Sequence, residues 1–140
     1  MFRFYFAGDT AYSPVLQDIG RRFPAIDLAA LPIAAHGEIW PSRTQLLTPE
    51  EAIRVHQEIG ARHTVGMHWG TFAYGRQSLD EPPRRLARAA AAAGLPEQAV
   101  FVMRQGQTVA LRALNGRHTA KNVKQLPIVP GTRQPVPARA

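Results

Sequence analysis

The stretch TVGMHWGTF, residues 64–72, carries a short β-branched and apolar run straight into His68-Trp69-Gly70. Its length and its Thr, Val and Met content predict a buried strand over residues 64–67, opened by His63. A histidine where such a strand stops has two readings. It is either a core imidazole satisfied by a backbone carbonyl, or a metal ligand or base at a strand end beside a loop, where sites are built. The rest of the chain decides between them.

Upstream, Phe2, Phe4 and Phe6 alternate with Arg3 and Tyr5, the period of two that marks a strand, and this strand ends in Gly8-Asp9-Thr10. Ser13-Pro14 then reads as an N-cap with proline at the first helical position, opening a helix whose apolar positions are Val15, Leu16, Ile19 and Phe23 and which Pro24 stops. AIDLAALPI, residues 25–33, is an apolar run with the pattern of a buried strand. Residues 34–47 are irregular, broken by Gly37 and Pro41. Thr48-Pro49-Glu50-Glu51 is a capping box with proline in the first turn. It opens a helix whose buried stripe is Ala52, Val55, His56 and Ile59, and which Gly60 closes. His56 on that stripe is expected to be a packed core residue. Beyond residue 72 a loop leads to an alanine-rich helix over about Pro83 to Ala93, ended by Gly94. AVFVMR (99–104) and TVALRAL (108–114), joined around Gly106, read as a closing hairpin. Strands alternating with helices predict an α/β layered fold with helices on a face of a sheet.

Composition narrows the chemistry. The chain has 140 residues, 45% hydrophobic and 19% charged, which fits one packed domain. There are no cysteines, so disulfides and thiolate metal sites are excluded and any metal would be held by His, Asp or Glu. Those donors favour zinc, manganese or iron. No apolar stretch approaches the length of a transmembrane helix, and the start MFRFYFAGDT is too short in apolar residues for a signal peptide. A soluble, cytoplasmic protein is expected. The net charge is +7, but Arg117, Lys121, Lys124, Arg133 and Arg139 supply five of those charges from a tail over residues 115–140 that holds no acidic residue. The body over residues 1–114 is nearly balanced. This argues against a nucleic-acid-binding body, and the proline-rich tail is expected to be disordered, adding salt-dependent attraction to anionic lipid or nucleic acid.

Two residues stand out as site candidates. Asp9 follows the first strand and His68 follows the third, so a sheet that places these strands near one another brings a carboxylate and an imidazole to one rim. That pair suits a metal site. Asp9 also has a plainer reading, because Asp and Thr after a strand commonly close the next turn. Two ligands do not complete a zinc shell, which takes four, or three and water. His36 and Glu38 in the irregular loop are further candidates.

FAGDTAYS, ALPIAAHGEIW, TPEEAIRVHQEIGA, HWGTF and LDEPPRRL, in this order and spacing, resemble the metallo-β-lactamase fold, and most of all its branch similar to N-acylphosphatidylethanolamine-hydrolysing phospholipase D. The resemblance covers roughly residues 3–111 and leaves out the tail. It implies that this chain is the C-terminal half of an αββα sandwich, a sheet with helices on its outer face. It further implies that Asp9 matches the aspartate bridging two zinc ions and that His68 matches the last histidine ligand. Such a site activates water for attack on phosphorus in a phosphodiester, from a small-molecule or a lipid substrate at a membrane surface. The family's His-x-His-x-Asp-His ligands belong before the Gly-Asp-Thr strand, where this chain has no sequence. A chain lacking them is expected to be inactive alone, a fragment that needs an N-terminal half or a second copy of itself. Two positions depart from the family pattern: Ala34-Ala35-His36-Gly37-Glu38-Ile39 replaces a Gly-Ala-Tyr-Glu-Pro-Arg segment, and Leu47 stands where a histidine is common.

Overall fold

The computed structural model describes residues 1–34, 45–71 and 78–110. In chain order the elements are β1 (Phe4–Phe6), α1 (Leu16–Arg22), β2 (Leu28–Pro32), α2 (Pro49–Glu58), β3 (His63–Met67), α3 (Glu81–Ala92) and β4 (Val100–Val102). The strands form one sheet in the order β1-β2-β3-β4, every pair parallel. A parallel pair needs a crossover at least a helix long, and α1, α2 and α3 supply the three crossovers. The α/β architecture expected from the sequence is therefore the one observed. Residues 1–103 make one compact unit, and residues 104–140 group separately.

Register and the two-residue side-chain period divide the sheet into two faces. Tyr5, Ala29, Thr64 and Val100 are aligned across the strands and lie on the face that carries the helices. There Leu31, Ile33, Leu47, Val55 and Ile59 are fully buried, each worth roughly 1.5–3 kcal/mol of transfer free energy. Leu47, the departure noted above, is thus a core residue. On the opposite face Phe4 aligns with Leu28, and Phe6 with Ala30, Val65 and Phe101; the rings of Phe4 and Phe6 stand 6.4 Å apart and exposed.

The helices are set by local chemistry and tied by a few specific contacts. The capping box of α2 forms as expected: Glu51 N–H donates to Thr48 Oγ1 (3.1 Å) and Thr48 N–H to Glu51 Oε2 (2.9 Å). Gly60 closes this helix in the left-handed conformation, φ +62°. A Cβ on Gly20 would lie 2.8 Å from the Glu58 carbonyl oxygen and 2.8 Å from Ile59 Cα, so α1 meets the end of α2 where only glycine fits. Glu58 fastens the same junction, accepting from Tyr12 Oη (3.0 Å), Gln17 Nε2 (3.2 Å) and Arg54 Nε (2.8 Å). Burial pushes the Glu58 carboxyl up, but these donors outweigh it and hold the group below the usual carboxylate range. Arg85 of α3 grips Glu50 of α2 with two hydrogen bonds, 2.9 and 2.6 Å.

Three local expectations are corrected. The helix expected from Ser13-Pro14 starts later, at Leu16, after a turn in which the Ser13, Pro14 and Val15 carbonyls accept from the N–H groups three residues on. Of its apolar residues Leu16 is buried, whereas Val15 and Phe23 are exposed. The closing hairpin does not form over residues 108–110, which are not strand. β4 takes its hydrogen bonds from β3 in parallel, and a tight turn follows: Gln107 N–H donates to Arg104 O (2.9 Å), Arg104 N–H to Gln107 Oε1 (2.9 Å), with Gly106 at φ +79°. Residues 111–114 and the tail lie outside the described residues. No helix among the described residues is long and apolar enough to cross a membrane.

Candidate metal centre

Because all four strands run the same way, the exits of β1 and β3 fall on one rim, the carboxyl ends where open parallel sheets carry their ligands. β2 stands between them, so their backbones are separated by two strand spacings, about 9.5 Å. Two left-handed turns help to close that gap. Gly8, at φ +63°, turns the chain just before Asp9. His68 itself sits at φ +62°, a conformation that costs a non-glycine residue about 1 kcal/mol, and Gly70 follows at φ +78°. Ile33 N–H donates to Met67 O (3.0 Å), extending the β2–β3 ladder to the last residue before His68.

The result is a carboxylate and an imidazole in direct reach: His68 Nδ1 lies 3.3 Å from Asp9 Oδ1. Their side chains are 35% and 78% exposed, respectively, so the pair faces solvent at the rim. The turn-closing role considered for Asp9 belongs to its neighbour, since Thr10 Oγ1 donates to Ala7 O at 2.6 Å. That leaves the Asp9 carboxylate available for the site. A nitrogen and an oxygen bound to one tetrahedral ion at ordinary zinc distances stand about 3.3–3.5 Å apart. The observed separation and the N/O donor set therefore fit adjacent positions on one divalent ion. They supply two donors only: among the described residues no group of three or more His, Asp or Glu side chains could hold a metal.

The other histidines are placed elsewhere. His56 is buried on α2, its Nδ1 2.9 Å from Thr64 Oγ1, the packed core role expected for it. Burial, with a smaller contribution from the nearby His63, holds its pKa below the ordinary value. His63 opens β3 at the far end of the strand from His68, and its Nδ1 donates to Gln98 O (3.0 Å), leaving Nε2 buried without a partner among the described residues. His36 and Glu38 lie outside the described residues. The structural feature that sequence reasoning missed is the left-handed backbone of His68. Its signal was faint, since only Gly70, two residues later, advertises a turn.

A parallel α/β layer that brings an Asp and a His together on its carboxyl rim offers two donors of the kind divalent metal ions accept. Comparison with known proteins shows what the chain is similar to. Residues 1–69 match the beta-lactamase superfamily domain. The chain is 40% identical over 83 residues to N-acyl-phosphatidylethanolamine-hydrolyzing phospholipase D 1 of Caenorhabditis elegans, covering 59% of this chain and 23% of that protein. It is 35% identical over 106 residues to a UPF0173 metal-dependent hydrolase of Rubrobacter xylanophilus, covering 76% of this chain and 38% of the relative. Among solved structures, Igni18, a metallo hydrolase from the archaeon Ignicoccus hospitalis, superposes with a TM-score of 0.55 at 29% identity, over 75% of this chain and 40% of its own. These likenesses fit a chain of the metallo-β-lactamase fold, and the chain spans between about a quarter and two fifths of the length of these relatives.

Proposed function

We propose that this chain carries part of the catalytic centre of a zinc-dependent phosphodiester hydrolase, with Asp9 and His68 as metal ligands. The observation that carries the reading is the 3.3 Å approach of His68 Nδ1 to Asp9 Oδ1 on the carboxyl rim of a parallel sheet. The likeness to a phospholipase D and to metal-dependent hydrolases supports it. Bound there, a divalent zinc ion supplies Lewis acidity and lowers the pKa of coordinated water. The chain's own part is to hold and orient. Asp9 would offer a carboxylate oxygen to the ion, and His68 would offer a ring nitrogen held in place by its left-handed turn. The proposal places the protein in the cytoplasm, at a membrane surface where the phosphodiester is that of a lipid.

A second reading is favoured by the donor count: with no third ligand joining the pair among the described residues, the chain is a fragment dependent on a partner for its remaining ligands. One set of measurements separates the two. Calorimetric titration with Zn2+ should show a site that Asp9→Ala and His68→Ala each weaken by about tenfold or more. Binding untouched by both substitutions would overturn the ligand assignment. Zn2+-dependent hydrolysis of bis(4-nitrophenyl) phosphate that Asp9→Ala removes establishes the hydrolase, whereas intact metal binding with no turnover establishes the partner-dependent fragment.

A further inference from the structure

The Asp9 side chain is 78% exposed, so its own packing does not decide where the carboxylate points. The backbone beneath it does. Ala7 is a fixed point: its N–H donates to Ala30 O of β2 at 3.0 Å, and it packs against the core. The chain then turns through Gly8 at φ +63°. A Cβ on Gly8 would meet nothing within 4 Å, so no neighbour walls this turn in. What closes it is a side-chain hydrogen bond, Thr10 Oγ1 donating back to Ala7 O at 2.6 Å. His68 is set differently, because Ile33 N–H donates to Met67 O (3.0 Å) and carries the sheet ladder up to its neighbour. Both donors are thus referred to β2, His68 through backbone alone and Asp9 through the Thr10 hydroxyl.

We propose that Thr10 is a positioning residue of this site: by tying the Gly8–Asp9 turn to Ala7, its hydroxyl sets the 3.3 Å approach of Asp9 to His68 and with it the affinity for a divalent ion. The inference rests on the ligand reading above and adds to it the group that orients the carboxylate. Thr10 acts through Asp9 and not as a ligand. A donor pair binds an ion well when it is held in the bound geometry beforehand, and hydrogen bonds behind the ligands do that holding. Without the hydroxyl, an exposed carboxylate on an unwalled turn must be ordered at the moment of binding, and that ordering opposes affinity.

Thr10→Val, Thr10→Ser and Tyr12→Phe in the full chain test this by two readouts. The first needs no metal. Backbone amide NMR relaxation should show Gly8 and Asp9 rigid in the wild type and in Thr10→Ser, and mobile in Thr10→Val. The second is calorimetric titration with Zn2+. Thr10→Val should weaken binding by about fivefold, the worth of one ordinary hydrogen bond, and Thr10→Ser should restore it. Tyr12→Phe cuts the bond of the same loop to Glu58 beyond the turn and should leave both readouts unchanged. Because Thr10 acts through Asp9, Thr10→Val should add nothing to the residual binding of Asp9→Ala. A Thr10→Val protein with a rigid turn and wild-type affinity overturns the proposal. So does a loss that Thr10→Ser shares, that Tyr12→Phe matches, or that persists in full beside Asp9→Ala. Zn2+ binding indifferent to Asp9→Ala is the separate failure of the ligand assignment, and the relaxation readout still decides whether Thr10 holds the turn.

Discussion

At the scale of single residues, the site and the backbone make opposing demands at His68. The imidazole is brought to Asp9 by a φ of +62°, which glycine adopts freely and other residues do not. Replacing His68 by glycine should therefore leave the protein about 1 kcal/mol more stable than replacing it by alanine, although both substitutions remove the imidazole from Asp9. Urea denaturation of the two variants checks this, and equal midpoints would show that the turn is not strained. His56 makes a different prediction. Buried against Thr64 Oγ1 and held below its ordinary pKa of 6.5 by burial and by His63, it stays neutral in the folded protein while the unfolded chain takes up a proton. Protonation then favours unfolding, so stability should be level above about pH 7 and fall as the pH drops through 6.5 toward the lowered folded value. Thermal melts between pH 8 and pH 5 test the sign. His56→Gln should flatten the slope, and a wild-type melting temperature that rises on acidification would refute it.

At the scale of elements, the packing of α1 on α2 depends on the absence of a side chain. Gly20 meets backbone atoms of Glu58 and Ile59 at distances a Cβ cannot share, and backbone yields less readily than a flexible side chain. Gly20→Ala should destabilise the fold by about 1–3 kcal/mol through overpacking. Gly60→Ala has nothing within 4 Å of the added carbon, so it should cost only about 1 kcal/mol, the strain of its positive φ. Chemical denaturation of both variants distinguishes these causes, because a second change that shifts α1 should rescue the first and not the second. The same junction holds Glu58 with its three donors, so an α1 pushed away from α2 also loses hydrogen bonds from Tyr12 and Gln17.

At the scale of the whole molecule, charge and fold are separate properties. Among the described residues the last strand ends at Val102, while five of the seven net positive charges lie in residues 115–140. Truncation after Leu114 should sharply reduce retention on a cation exchanger and binding to anionic lipid vesicles, and it should flatten the salt dependence of both. The melting temperature should move little. Vesicle binding that survives truncation would assign the anionic contact to the body instead.

Much of this protein is written locally. The alternation of Phe2, Phe4 and Phe6, the capping box at Thr48, and the glycines after α2 and α3 are short-range signals, and the elements formed where they pointed. Asp9 and His68 were legible as strand-end residues for the same reason. What the local signals could not contain was decided by packing. Val15 and Phe23 fit an amphipathic pattern yet remain exposed, because burial depends on where α2 lies and not on the periodicity of α1. β4 paired in parallel with β3, and that choice of partner was set by the open edge of β3, which no local signal contains. The 3.3 Å meeting of Asp9 with His68 is tertiary as well. Residues 59 positions apart come together only because β2 sets the spacing of β1 and β3 and left-handed turns at Gly8 and His68 help to close it.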